Sequence, residues 1–326
     1  MIGMLWGRCR RQSLVTLALL LLWGAFALAS PVTFGSARIY RSFMSTIPVT
    51  MILTLGMTLL VLSGEMDMSF PSVSAAAAFV FAWLYAKAGV SAPLAFAAAL
   101  ASGALMGWLN GLLVVKIGVP SIIATIGTQF LWRGLILLLA DGIAIPLASV
   151  RETALHAFFA GRIGSWETPV QALWALAVGI ALSLLLNRHS FGEALLFIGD
   201  NRKTAQMMGI PVKRVRIAVF TLMGFLAAFA GLLATLELNN WWPTQGEGYM
   251  LLVFAAVFVG GTSAYGGEGT IYGSFVGSII IGIIEAGIVS AGLVGFWTRF
   301  VHGLVIILSV GGYALIARRK NRWDSE

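Results

Sequence analysis

Long apolar runs alternate with short polar breaks along this chain, and the runs are too long and too uniformly apolar to be strands or one face of a soluble helix. A helix needs about 20 mostly apolar residues to cross roughly 30 Å of hydrocarbon. Ten segments meet or approach that length: roughly 13–30, 44–63, 70–86, 92–115, 120–140, 169–187, 215–236, 249–263, 269–290 and 296–317. The eighth is short and the third starts at Phe70-Pro71, so the pattern is compatible with eight to ten crossings. It predicts an all-α polytopic membrane protein, a single transmembrane domain over residues 1–326. Two connecting segments are long, 141–168 and 188–214.

The punctuation of the runs suggests two related halves. Gly103, Gly107 and Gly111 recur every fourth residue in the fourth run, as do Gly269, Gly273 and Gly277 in the ninth. Such stripes let helix backbones approach closely where lipid gives no hydrophobic drive to associate, so their expected role is helix packing. The third run follows a break at Gly64-Glu65, and the eighth follows Gly246-Glu247-Gly248. Matched interrupted segments in two halves point to a transport site, and five helices per half would make the repeats inverted in the membrane.

Composition agrees with a bilayer: the 326 residues are 59% hydrophobic and 10% charged, against about a quarter charged in soluble proteins. The first run resembles a signal peptide in its preceding Arg8, Arg10 and Arg11 and its Ala27-Leu28-Ala29 end. Its apolar stretch is longer than the usual ~7–15 residues and Pro31 follows the cleavage-like site, so a retained helix is expected. With ten spans and a cytoplasmic N-terminus, fourteen of the 21 lysines and arginines fall inside and five outside. The positive-inside rule then puts both termini in the cytoplasm. The net charge of +8 reads as a topology signal with anionic-lipid contact rather than as a nucleic-acid footprint. Cys9 is alone, and His156, His189 and His302 are scattered, so neither an intrachain disulfide nor a metal site is expected. No G-x-x-x-x-G-K-[ST] occurs, so energy must come from another polypeptide or an ion gradient.

Residues 188–214, cytoplasmic by this parity, are too polar to span and too patterned for a bare linker. Thr204 to Met208 should form a short helix, with Asp200 or Asn201 as N-cap and Gly209 and Pro211 ending it. Ala205, Met208 and Gly209 would give it a small, partly apolar surface. That surface suits either the membrane or the groove of a cytoplasmic partner.

GDNRKTAQMMGIPVKR at 199–214 resembles the cytoplasmic coupling motif, Gly-x-Asn-x-x-Ala-x-x-x-Gly-Ile, of permease subunits in ribose-type ATP-binding-cassette importers. These belong to the branched-chain amino acid and sugar permease superfamily. NGLLVVKIGVPSIIATIGTQFLWRGL at 110–135, VGGTSAYGGEGTIYGSFVG at 259–277 and LSGEMDMS at 62–69 are similar to three further motifs of that family, in the same order. The resemblance runs from about residue 44 to 317. It implies a ten-helix permease in the bacterial inner membrane, paired with a second copy or a paralogue. Such a pair sits on ATP-binding subunits and receives its solute from a periplasmic binding protein. The permease itself holds no cofactor, ATP being bound by the partner, and it is not an enzyme.

On this resemblance Asp200, Asn201, Ala205 and Gly209 are the expected ATPase contacts, and Asp67, Ser69 and Gln129 line the path or gate. Asp67 matches the family's acid and Ser69 its serine, whereas Glu65 stands where the family has glycine. Ionisable residues within a membrane segment are functional by default, which adds Glu65 to the path. Thr125 and Asn110 join it as hydrogen-bonding groups for a polyhydroxylated solute, a monosaccharide or related polyol. Arg133 is expected to form an ion pair or anchor a helix end. Trp241 and Trp242, in an outer loop, are expected to anchor at the lipid headgroups. Gly248-Tyr249 lacks the acid that usually follows in the family. The alternative reading is a proton-coupled secondary transporter in which Glu65 or Asp67 carries the proton. An intramembrane enzyme finds no nucleophile, orienting group or metal ligand in the sequence.

Overall fold

The computed structural model describes residues 2–290, 297–308 and 311. It is almost entirely helical. In chain order the helices are α1 (Ile2–Ala29), α2 (Pro31–Phe34), α3 (Ala37–Leu62), α4 (Phe70–Ala86), α5 (Ala92–Leu112), α6 (Ser121–Leu139), α7 (Ala154–Ala160), α8 (Val170–Arg188), α9 (Ser190–Asp200), α10 (Arg202–Met207), α11 (Val212–Leu238), α12 (Tyr249–Val259) and α13 (Ile271–Ser290). A further helix, α14, covers Trp297–Leu308. Each of the ten apolar runs contains one of these helices. Seven are long and apolar enough to cross a membrane; α4, α12 and α14 are shorter. The far end of the tenth run and the basic tail beyond it lie outside the described residues.

Local chemistry sets the ends. Ser36 accepts a hydrogen bond from the Arg38 N–H and starts α3. A π-turn, Leu113–Ile117, closes α5 and hands over to Gly118 at φ +90°. The segment 141–168 is pinned rather than free. Its β1 (Ile145–Pro146) pairs antiparallel with β4 (Asn240–Trp241), and its β2 (Arg162–Ile163) pairs with β3 (Thr168–Pro169). Arg162 forks onto the Glu237 carboxylate, which also accepts from Gln171 on α8, while Arg41 bonds Glu167 at 2.9 Å.

The two most enclosed long helices are α3 and α11, with 83% and 72% of their apolar windows buried, against 17% for α6 and none for α1. They pack on each other and exchange partners: α11 lies against α4 and α5, α3 against α12 and α13.

The glycine stripes lie in tight interfaces, but not in equivalent ones. On α5, a methyl on Gly103 would lie 2.4 Å from Ala228 Cβ, and one on Gly107 would lie 2.3 Å from the Phe220 carbonyl oxygen. A methyl on Gly111 would meet Ile217 Cα at 3.0 Å. The α5 stripe therefore faces α11 in the other half. On α13, methyls on Gly273 and Gly277 would lie 2.0 and 2.3 Å from the carbonyls of Gly260 and Ala256, and one on Gly269 would lie 2.7 Å from Thr262 Oγ1. That stripe closes α13 onto α12, its own hairpin neighbour. The face of α13 that meets α3 uses other residues, among them Ser274, which accepts from Thr58 Oγ at 2.7 Å.

Candidate functional site

The break between α3 and α4 is an irregular stretch, largely buried inside the protein apart from Gly64, where little water replaces lost backbone hydrogen bonds. Side chains of α6 replace them. Met66 N–H donates to Ser121 Oγ at 3.4 Å and Met68 N–H to Thr125 Oγ1 at 2.8 Å. Ser121, Thr125, Gln129 and Arg133 recur every fourth residue, so α6 lays a polar stripe along the break.

Asp67, Ser69 and Asn110 meet there and are all buried. Asp67 Oδ1 accepts from both the N–H and the Oγ–H of Ser69 at 2.6 Å, and Asn110 Nδ2 donates to Ser69 Oγ at 2.7 Å. Ser69 is the residue before α4, so the carboxylate sits at the positive end of that helix. Asp67 Oδ2, Asn110 Oδ1 and, one turn along from Thr125, Gln129 Oε1 are buried without a protein hydrogen-bond partner. Buried acceptors of this kind call for water or a hydroxyl-bearing solute. Asp67, Ser69, Asn110 and Thr125 are thus brought together, with Gln129 next to them on the same helix face.

Glu65 is not with them. Its carboxylate, 4% exposed, takes Arg202 Nη2 at 2.6 Å and Arg216 Nη2 on the same oxygen. Arg202 also donates to the Gly64 carbonyl at 3.2 Å. Its partners are two guanidinium groups, one from the 188–214 segment and one from the start of α11, and not the hydrogen bonds that join Asp67, Ser69 and Asn110.

In the second half, the 239–248 stretch folds inward to meet the start of α4. Arg133 carries this contact, donating to the carbonyls of Pro243, Gln245 and, at 3.5 Å, Pro71. A methyl on Gly246 (φ +83°) would lie 2.8 Å from the Pro71 carbonyl oxygen, so only glycine fits. The helix-end anchor expected of Arg133 is therefore a clamp on two breaks at once. Gln245, which the sequence did not single out, is fully buried. It accepts from Thr235 Oγ at 3.0 Å and donates to the Gly231 carbonyl at 2.8 Å, stitching the stretch to α11.

Trp241 corrects an expectation. It is fully buried, not interfacial. Its Nε1–H donates to the Ala75 carbonyl at 2.9 Å and its ring lies 4.9 Å from that of Phe79. Pairing of β4 with β1 turns Trp241 inward onto α4, where an indole fills space and still places its N–H.

On the 188–214 segment, Asn201 is the N-cap of α10: its Oδ1 accepts from the N–H of Lys203 and Thr204 at 3.0 and 3.1 Å. Gly209 at φ +79° ends the turn. Asp200 closes α9, and Ala205 is fully buried, so it holds α10 to the body instead of facing outward as expected. The apolar groups that stand out are Met207, 89% exposed, and Met208. The six-residue helix turns its one small residue inward because only that residue fits close beneath it.

Comparison with known proteins places this geometry. The family described as the permease component of the branched-chain amino acid transport system matches residues 39–310. The ribose import permease RbsC of Escherichia coli K12 is 33% identical over 296 residues, 90% of this chain and 91% of that protein. The RbsC of Bacillus subtilis is 34% identical over 86% of this chain and 84% of its own. The autoinducer 2 import permease LsrC of Salmonella choleraesuis is 31% identical over 83% and 77%. No solved structure matches. Matched by the family's model over residues 39–310, the chain belongs to the family of branched-chain amino acid transport system permease components.

Proposed function

We propose that this chain is the membrane-spanning permease subunit of an ATP-binding-cassette importer carrying a small polar solute of the monosaccharide class into the cytoplasm. The reading is supported by its relatives, ribose and autoinducer 2 import permeases that it matches over most of their length. In this reading the permease crosses the membrane ten times as two inverted five-helix repeats, with both termini cytoplasmic. It pairs with a second permease, on ATP-binding subunits that hold the ATP, and takes its solute from a periplasmic binding protein.

One observation carries the coupling role: α10 is a separately capped helix with Met207 and Met208 outward and Ala205 locked inward. A flexible apolar side chain on a rigid mount suits a groove in a partner. ATP-driven closure of the partners would pull α10, and the broken helices would open alternately to each side. Asp67, Asn110 and Gln129 supply acceptors for solute hydroxyls along the way. The proton-coupled alternative is not favoured, because the relatives are import permeases of this class and Glu65 is committed to two arginines.

Met207→Glu tests the reading. It should leave the permease folded, since the side chain touches solvent, and should reduce co-purification of the ATP-binding subunit by roughly tenfold, as expected for one central apolar contact. Undiminished co-purification and ATP hydrolysis would remove α10 from the interface.

A further inference from the structure

We propose that Glu65 is a positioning residue for transport, tying the 63–69 break to α10 so that the coupling helix and the mouth of the broken helix move as one body. This rests on the reading of α10 as the ATPase contact.

The joint has three parts. The first is ionic: Glu65, 4% exposed, takes on one oxygen Arg202 from the first residue of α10 and Arg216 from the start of α11. Glu65 is buried while Arg202 is half-exposed and Arg216 mostly enclosed, so losing either arginine would leave the carboxylate less compensated in a place water reaches poorly. The second part is backbone. The Gly267 N–H donates to the Leu62 carbonyl at 3.0 Å, and a methyl on Gly199 would lie 1.9 Å from that same oxygen. A methyl on Gly266 would lie 3.1 Å from Gly64 Cα. The end of α3, the α9–α10 corner and the α12–α13 loop therefore meet main chain to main chain, with no slack between them.

The third part leads to the path. Two residues beyond Glu65 in the break, Asp67 holds Ser69, and Ser69 is tied to Asn110 on α5. A displacement of α10 thus reaches the start of α4 through a short chain held at both ends. Within this joint the Glu65 carboxylate links α10 and α11 through a single oxygen.

The test uses the complete importer, the permease with its ATP-binding subunits and solute-binding protein, reconstituted in liposomes. Solute imported and ATP hydrolysed are measured together. Glu65→Gln should keep ATP hydrolysis while solute moved per ATP falls roughly tenfold. Arg202→Gln should give the same fall from the half-exposed side of the pair, which keeps the test open if the glutamine variant folds poorly. In a Cys9→Ser background, Glu65→Cys with Arg202→Cys should be equally uncoupled. Joining the two thiols with a short bis-methanethiosulfonate reagent should restore the ratio, and reduction should abolish it again. A merely stabilising ion pair would change yield and thermal stability but not the ratio. A wild-type ratio in Glu65→Gln or Arg202→Gln, or a tethered variant that stays uncoupled, overturns the proposal. Failure of the α10 reading is seen separately, as ATP-binding subunit co-purification that ignores Met207→Glu.

Discussion

Gly107→Ala should destabilise the protein, whereas the same change at Gly127 should be neutral or stabilising. Alanine is favoured over glycine in a helix interior by roughly 0.5–1 kcal/mol. At Gly127 on α6 nothing lies within 4 Å of the added methyl, so that preference acts alone. At Gly107 the methyl would lie 2.3 Å from the Phe220 carbonyl oxygen and 3.0 Å from Gly224 Cα, and neither is a side chain that can swing aside. Gly224 faces back in the same way, its own methyl position lying 2.2 Å from the Gly103 carbonyl oxygen. Overpacking of this kind costs about 1–3 kcal/mol, which exceeds the propensity gain. Gly107→Leu should leave no folded protein, because α5 and α11 would have to separate along the longest contact between the halves. The measurement is thermal stability of the detergent-solubilised permease, followed by size-exclusion profile. Equal stability of the Gly107 and Gly127 alanine variants would show that α5 and α11 do not meet as described.

Arg133→Leu should abolish solute uptake and lower stability, and Arg133→Lys should recover only part of either. The guanidinium is the shared donor for carbonyls of Pro71, Pro243 and Gln245, on two different breaks. Leucine is apolar, shorter and carries no donor. Each buried acceptor left without a partner costs about 1–3 kcal/mol. The 239–248 stretch would then lose its register on the start of α4, and with it the alignment of the two broken helices. Lysine restores the charge but not the planar fork that reaches several carbonyls at once. Uptake of labelled monosaccharide per permease molecule, beside the melting profile, gives both readings. Normal uptake in Arg133→Leu would mean that the two breaks are held together by something else.

These sites differ in how far a sequence alone reveals them. Helices were legible because a bilayer selects runs of apolar residues whose length is fixed by its thickness. The α3–α4 break was legible because Gly64, two acids and Pro71 interrupt such a run. Asp67, Ser69, Asn110 and Thr125 were found as polar groups in apolar surroundings, a signal that survives without knowing their partners. The partners of Glu65 were not legible, since Arg202 and Arg216 lie 137 and 151 residues further on. Trp241 was misread because an aromatic beside a polar loop has the same local pattern whether it faces lipid or folds inward. Gln245 carried no local signal, being one amide in a loop. Ala205 was misread because six residues make too short a helix to define a face. The glycine stripes show a related limit: identical spacing fixes that a helix has a smooth side, not which neighbour it is offered to.

The pairing of Ile145 with Trp241 and Pro146 with Asn240 also fixes which loop lengths the chain can tolerate. Slipping an antiparallel pair by one residue moves every side chain to the opposite face. Here a slip would put Asn240 against Phe79 and Ala75 and turn the indole outward. The residues joining α6 to β1, and those joining α11 to β4, therefore cannot gain or lose one without the other compensating. Most of the segment from Ala148 to Glu167 is tied down as well, by the β2–β3 pair, by Arg162 on Glu237 and by Arg41 on Glu167, which leaves the exposed turn from Gly164 to Trp166 as the place where length can vary with the register kept.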